Sequence, residues 1–341
     1  MNLPNLFSTA VFLGAACLVS GQSRGIQTPL SGYAFDAGSH TLRAIRGMPG
    51  AAVIGNPVGL AVEVQAAKIS ANREFAVVIN RDPAGQVLLF RGLNGDAPTS
   101  QPIEGAIAAV DLISLNDAGT VAAILSKTSQ QLQFISGLPD HPVAHLPVPI
   151  DSVLGQATAL ALAQRGQSVL VTSSDGSYGG VYQVADQEGA SPQLLAAAFQ
   201  PSAVIYLNQD QDAAFADVFS HEIVQLQSLS LNTTSRVLVS AQDNVANPIA
   251  IQASNGSVIA VSNSATPDSS FGKLIQYDLA SHRIVADRPL PVAATRLDTL
   301  GDGGVFVIND CGTDVLYLYS SDDFSWTFVP LIANGVACAV N

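Results

Sequence analysis

Short apolar runs, most closed by a polar residue, recur along this chain. They are Val77-Val78-Ile79-Asn80, Ala123-Ile124-Leu125-Ser126, Leu170-Val171-Thr172-Ser173, Phe215-Ala216-Asp217-Val218, Ala260-Val261-Ser262-Asn263 and Phe306-Val307-Ile308-Asn309. Runs this short, rich in β-branched residues and bounded by turn formers, predict buried strands. The stretch around Ile124 shows what lies between them. A first strand is expected at Val110 to Leu115, a second at Thr120 to Ser126, a third at Leu132 to Ser136 and a fourth at Val143 to Val148. Asn116-Asp117-Ala118-Gly119 and Gly137-Leu138-Pro139-Asp140 supply the backbone angles that tight turns need. The second strand of each unit is the most apolar, as a strand covered on both faces must be.

The last residues of these runs are 46, 47, 45, 45 and 46 apart. A period near this length with several strands per unit predicts a β-propeller, because one such unit cannot bury both faces alone. The strands of a blade are called A to D, from the central channel to the rim. The chain ends fit a closing blade. Phe35-Asp36-Ala37-Gly38-Ser39-His40-Thr41-Leu42 parallels Tyr277-Asp278-Leu279-Ala280-Ser281-His282-Arg283-Ile284, which places the first copy, like the second, at a C–D hairpin. The N-terminal segment would then supply outer strands, with Ile26 to Leu30 a weak candidate for strand B because of Pro29. Gly335 to Val340 would supply strand A. Six repeats and one shared blade make an all-β, seven-bladed propeller of four-stranded antiparallel blades. Seven blades need about 322 residues.

Leu6 to Val19 is a mostly apolar run ending in small residues, which reads as an export signal cleaved after Gly21. The mature chain, 22–341, would then hold 341 − 21 = 320 residues in a single propeller domain. Its residence would be periplasmic, at the cell surface or extracellular. No further stretch approaches the length of a membrane span. Cys17 raises lipid modification as an alternative, and Cys311 and Cys338 would remain as an even pair. Cys311 falls in the B–C loop of the last blade and Cys338 just beyond the D–A connection after it, so a disulfide between them would lock the ring.

Net charge is −13, with 14 Lys and Arg against 27 Asp and Glu. Such a chain repels polyanions, so nucleic acid is excluded as a partner. Aromatic residues are only 6% of the chain. Sequence signatures for covalent haem and for zinc are absent, and the five histidines are dispersed, so no metal or cofactor is expected. Asn208-Gln209-Asp210-Gln211-Asp212 alternates oxygen ligands like a calcium loop, but Ala213 and Phe219 stand where Gly and Glu are required. It coincides with an A–B turn and reads as one.

Ligands of propellers meet the B–C and D–A loops around the channel mouth. Residues just after strand B are therefore the candidate ligand contacts: Arg81, Asp82, Lys127, Asp175, Tyr178, His221, Glu222, Asp268 and Asp310. Asp82, Asp175 and Asp310 also suit turn formation.

Phe306-Val307-Ile308-Asn309, the turn after it and Val315-Leu316-Tyr317-Leu318-Tyr319 resemble the YVTN-type repeat of bacterial propellers. Val77 to Asn80 with Val87-Leu88-Leu89-Phe90 is similar, and the resemblance spans about 68 to 332. Such repeats occur in surface-layer-like proteins, in lactonase-like enzymes and in proteins of no known activity, so the resemblance implies the fold more than a function. With no catalytic motif in view, the expectation is an exported, non-catalytic scaffold for a protein, peptide or glycan. The alternative is a lactonase-like hydrolase using Arg81, His221 and Glu222 at the channel mouth.

Overall fold

The computed structural model describes residues 29–81, 85–95, 97–263, 272–290, 292–301, 303–309 and 316–330. It is a seven-bladed β-propeller. Blades 1 to 6 occupy 64–102, 112–149, 156–198, 201–239, 248–289 and 297–328, each an antiparallel sheet in the order A-B-C-D. Blade 2 departs slightly: its outer position is shared by Val143–Ala144 and Val148–Pro149, both paired with the third strand Gln131–Ser136. The runs that mark the repeat all fall in second strands, among them Phe75–Asn80, Ala122–Ser126 and Ser257–Ser262. These strands are almost wholly buried. Val, Ile and Ala let neighbouring blades approach closely over a pleated surface.

Among the described residues seven apolar clusters hold the blades together, one at each blade-to-blade junction. The ring closes through the N-terminal blade, whose strands are Leu30–Asp36, Thr41–Arg46 and Val53–Pro57. On one side it packs Ile45 and Ile54 against Val307 and Leu318 of blade 6. On the other, Tyr33 and Leu42 pack with Val78 and Phe90 of blade 1, and the Tyr33 hydroxyl donates to the Leu93 carbonyl at 2.5 Å. The expected inner strand at 335–340, both cysteines of the expected disulfide and the export signal lie outside the described residues. No helix among the described residues is long and apolar enough to cross a membrane.

One expectation is corrected. Phe35 to Leu42 forms a B–C hairpin, not a C–D hairpin. Arg73, in the A–B turn of blade 1, donates to the Leu30 and Ser31 carbonyls, and His40 O accepts from Val64 N–H at the start of blade 1. Leu30–Asp36 therefore runs from the A–B face to the B–C face, as every strand B does. The reason lies in the turn itself. Asp36 accepts from the Gly38 and Ser39 N–H groups, and His40 takes a left-handed φ of 50°. Asp278 accepts from Ser281 N–H, with His282 at 57°, in a C–D turn. Asp217 accepts from Phe219 and Ser220, with His221 at 58°, in a B–C turn. Asp-x-x-Ser-His thus encodes a local turn usable at any hairpin. His40 and His282 consequently stand on opposite faces of the ring.

Candidate functional site

The B–C turns and D–A connections share one face, here called the loop face. Its geometry is set by the polar residue that ends strand B. Asp217, 2% exposed, accepts four backbone N–H bonds. Two come from the connection between blades 3 and 4, Phe199 at 2.7 Å and Gln200 at 3.1 Å. Two come from its own B–C turn, Phe219 at 3.0 Å and Ser220 at 3.3 Å. Asn263 and Asn309 grip the connection between blades 5 and 6 in the same manner. Asn263 exchanges bonds with Ala294 N and O, and Asn309 accepts from Thr295 N–H and donates to Ala293 O.

The inner strands are joined by a second device. Strand A carries a bulge near its start in blades 3 and 4, at Thr158 and Ser202. Their hydroxyls donate to Pro201 O and Pro248 O of the next blade, at 2.6 and 2.7 Å.

At the boundary of blades 3 and 4 the Asp217 clamp presents aromatic rings to solvent. Tyr178, Phe199 and Phe219 are 63%, 42% and 61% exposed. Phe199 lies 6.2 Å from Tyr178 and 5.1 Å from Phe219, centroid to centroid, with tilted planes. They come from the B–C turn of blade 3, the D–A connection and the B–C turn of blade 4. Water-exposed contact between three rings is unusual in a chain this poor in aromatics, and such patches mark contact sites. A groove of ≈360 Å³ continues from Phe199 toward the rim, lined by Leu195, Ala197, Glu222, Val224 and Val237. Exposed Leu194 stands nearby on the outer strand of blade 3.

The sequence candidates divide. Tyr178 is in the aromatic group and Glu222 lines the groove beside it. Asp175 shapes the turn that carries Tyr178: the Tyr178 and then the Ser177 N–H groups hold its carboxyl below the usual carboxylate value. His221 turns toward blade 5, its Nδ1 accepting from Asn247 N–H at 3.1 Å. Lys127 N–H is held by Asp111 at 2.7 Å. Arg81 pairs with Glu63 at 3.4 Å on blade 1. Arg81 thus stands on a different blade from His221 and Glu222, with a local partner of its own. Asp82, Asp268 and Asp310 lie outside the described residues. The calcium-like segment is the A–B turn of blade 4, with left-handed angles at Asn208, Gln209 and Asp210. Asp210 accepts from Gln164 N–H, and Asp212 from Ser228 N–H.

Phe199, Phe219 and Asp217 were not among the sequence candidates. The candidates are polar residues after strand B, whereas Phe199 and Phe219 are apolar, one in a D–A connection and the other in a B–C turn. An aromatic at a position the repeat assigns to a solvated turn was the available signal.

No protein-family model matches the chain, and no curated protein sequence does. The fold has many structural relatives. A functionally unknown protein from Desulfotomaculum acetoxidans is 13% identical with a TM-score of 0.62, the alignment covering 89% of this chain and 95% of that one. A protein from Lactobacillus plantarum is 11% identical with the same TM-score and the same coverage of each chain. The β-propeller domain of Cps50 (Swd1) from Myceliophteria thermophila is 8% identical with a TM-score of 0.58, covering 78% of this chain and 86% of that domain. At these identities the likeness concerns the propeller fold.

Proposed function

We propose that this chain is an exported binding propeller whose loop face grips an extended peptide segment of a protein partner. The observation that carries this reading is the exposed trio Tyr178–Phe199–Phe219, continuous with the groove along blade 4. Aromatic anchors in an apolar depression supply binding energy, and the polar rim fixes register. The rim carries Asp175 and Glu222 on a chain of net charge −13, which favours a segment bearing apolar and basic side chains. A peptide can lay one apolar side chain into the groove while others stack on the rings.

Hydrolysis at the channel mouth has less support, because Arg81 and His221 each hold a separate local partner. Export through the leader 1–21 and a Cys311–Cys338 bridge in the mature chain belong to the same proposal. Labelling of denatured, unreduced mature protein should find no free thiol, and two free thiols would rule the bridge out.

Selection of a displayed peptide library on the immobilised protein tests the binding reading. Enriched peptides should combine apolar and basic residues. They should lose at least tenfold in affinity to Tyr178→Ser and Phe219→Ser variants of unchanged fold. No enrichment, or binding indifferent to both substitutions, would overturn it.

A further inference from the structure

Far from the loop-face site, three side chains of blades 2 and 3 form a connected chain of hydrogen bonds. Ser136 Oγ lies 2.8 Å from His145 Nε2, and His145 Nδ1 lies 2.8 Å from Asp186 Oδ1. Both distances are those of strong hydrogen bonds. The order is nucleophile, base, orienting carboxylate, and this constellation is recognised by geometry rather than by sequence position. With Nδ1–H donating to Asp186, the Nε2 lone pair faces the Ser136 hydroxyl.

The backbone around all three groups is tied down. Ser136 ends the third strand of blade 2 and pairs with Val143. His145 sits in the gap between the two halves of the outer strand. Its N–H donates to Phe134 O at 2.9 Å, and its carbonyl accepts from Gln133 Nε2 at 2.7 Å. Asp186 follows the third strand of blade 3, with its N–H on Gln167 O at 2.8 Å. Blades 1 and 3 to 6 keep a continuous outer strand. In blade 2 that strand breaks at 145–147, where His145 turns its ring to Ser136 and Asp186. Gly137 follows Ser136 at φ 73°, where a Cβ would meet His141 O at 2.1 Å. The serine is thus followed by a turn that only glycine fits.

The His145 and Asp186 side chains are 34% and 21% exposed. A site this open reaches groups that project from a larger molecule better than it engulfs a small one. We infer that Ser136, His145 and Asp186 form an acyl-transfer site that hydrolyses small acyl esters displayed on a larger molecule. Ser136 Oγ attacks the ester carbonyl carbon while its proton passes to His145 Nε2. The carbonyl–alkoxy bond then breaks, and the same proton goes to the departing alcohol. Water attacks the acyl-serine, giving one proton to His145. The carboxylic acid leaves as Ser136 recovers that proton. Asp186 is a positioning residue, holding the tautomer and orientation of the ring.

The competing account is a latch that ties blade 2 to blade 3, and it predicts stability without reactivity. The test is intact-mass analysis of the chain treated with a fluorophosphonate, together with p-nitrophenyl acetate turnover. One adduct is expected, on Ser136. It should be absent in Ser136→Ala and slowed on the order of 10²–10⁴-fold in His145→Gln and Asp186→Asn. Asp186→Asn keeps the shape of the side chain, so folding is preserved while the tautomer is lost. No adduct on the folded chain would overturn the inference. So would labelling that survives Ser136→Ala or is indifferent to His145→Gln, or substitutions that move the melting temperature alone.

Discussion

The boundary between blades 3 and 4 and the boundary between blades 5 and 6 use one device for different ends. In both, a polar residue ending strand B grips the incoming connection through backbone groups. Between blades 5 and 6, Asn263 and Asn309 share the grip, and the connection turns Leu290 and Ala294 inward to a closed apolar cluster. Between blades 3 and 4, Asp217 accepts from both residues of a two-residue connection, Ser174 Oγ donates to the Phe199 carbonyl at 3.0 Å, and Phe199 and Phe219 are left in water. Clamping is therefore a property of the repeat. Recognition is a property of what the clamp presents, which at the boundary of blades 3 and 4 is the exposed pair Phe199 and Phe219.

The sharpest way to break this comparison is Asp217→Ala. It orphans four buried or half-buried N–H groups at once, so a loss of about 2–4 kcal/mol is expected in urea denaturation. Peptide binding should vanish with it, because Phe199 and Phe219 both hang from that carboxylate. A variant that keeps its stability would show the clamp to be incidental.

The closing junction extends the comparison to a charged grip. Lys68, on the inner strand of blade 1, lies 2.8 Å from Asp298 on the inner strand of blade 6, and Arg296 also bonds to Asp298. Burial alone would raise this carboxyl; Lys68 and Arg296 outweigh it and hold the carboxyl well below the ordinary range. The folded value is depressed, so the contribution is present above the unfolded value near ~4 and fades as pH falls below it. Asp298→Asn should cost about 1–3 kcal/mol at neutral pH and flatten that acid limb. A stability profile below pH 5 parallel to that of the wild type would refute the role of the pair.

Asn309→Ala should cost less, about 1–2 kcal/mol, and leave peptide binding intact. Because Asn263 holds the same connection, the double variant should depart from the sum of the singles. Strict additivity would mean the two asparagines act separately. The smallest effect on folding is expected from Phe219→Ser, within about 0.5 kcal/mol, since its ring is largely in water. Binding should nonetheless fall at least tenfold, a separation of stability from affinity that Asn309→Ala should invert.

The repeat was legible because second strands are buried on both faces, and burial on both faces writes an uninterrupted apolar run. Position within a blade was less legible at the chain start. Asp36 to His40 is a self-contained turn, and the same sequence logic at Asp217 and Asp278 serves two different hairpins. The clamp was half visible, as the Asn or Ser that closes five of the six runs, but its partners are connections far along the chain. Tyr178 was found because it is a polar-tipped residue in a B–C turn, and Phe219, in the next blade's B–C turn, was missed because it is apolar. Phe199 was not found, because its meaning depends on Phe219 and Tyr178 arriving beside it from other blades. Ser136, His145 and Asp186 are separated by 9 and 41 residues and carry no motif. Only the pairing of the third strand of blade 2 with its broken outer strand, beside the end of the third strand of blade 3, brings them together.

Hydrogen-exchange footprinting of the chain with a selected peptide tests the central claim most directly. Slowed exchange should be confined to Ser174 to Gly179, Phe199 to Gln200 and Val218 to Glu222, with the connection at 292–296 unchanged. Protection centred on that connection, or on the A–B turns of the opposite face, would contradict the assignment of recognition to the boundary of blades 3 and 4.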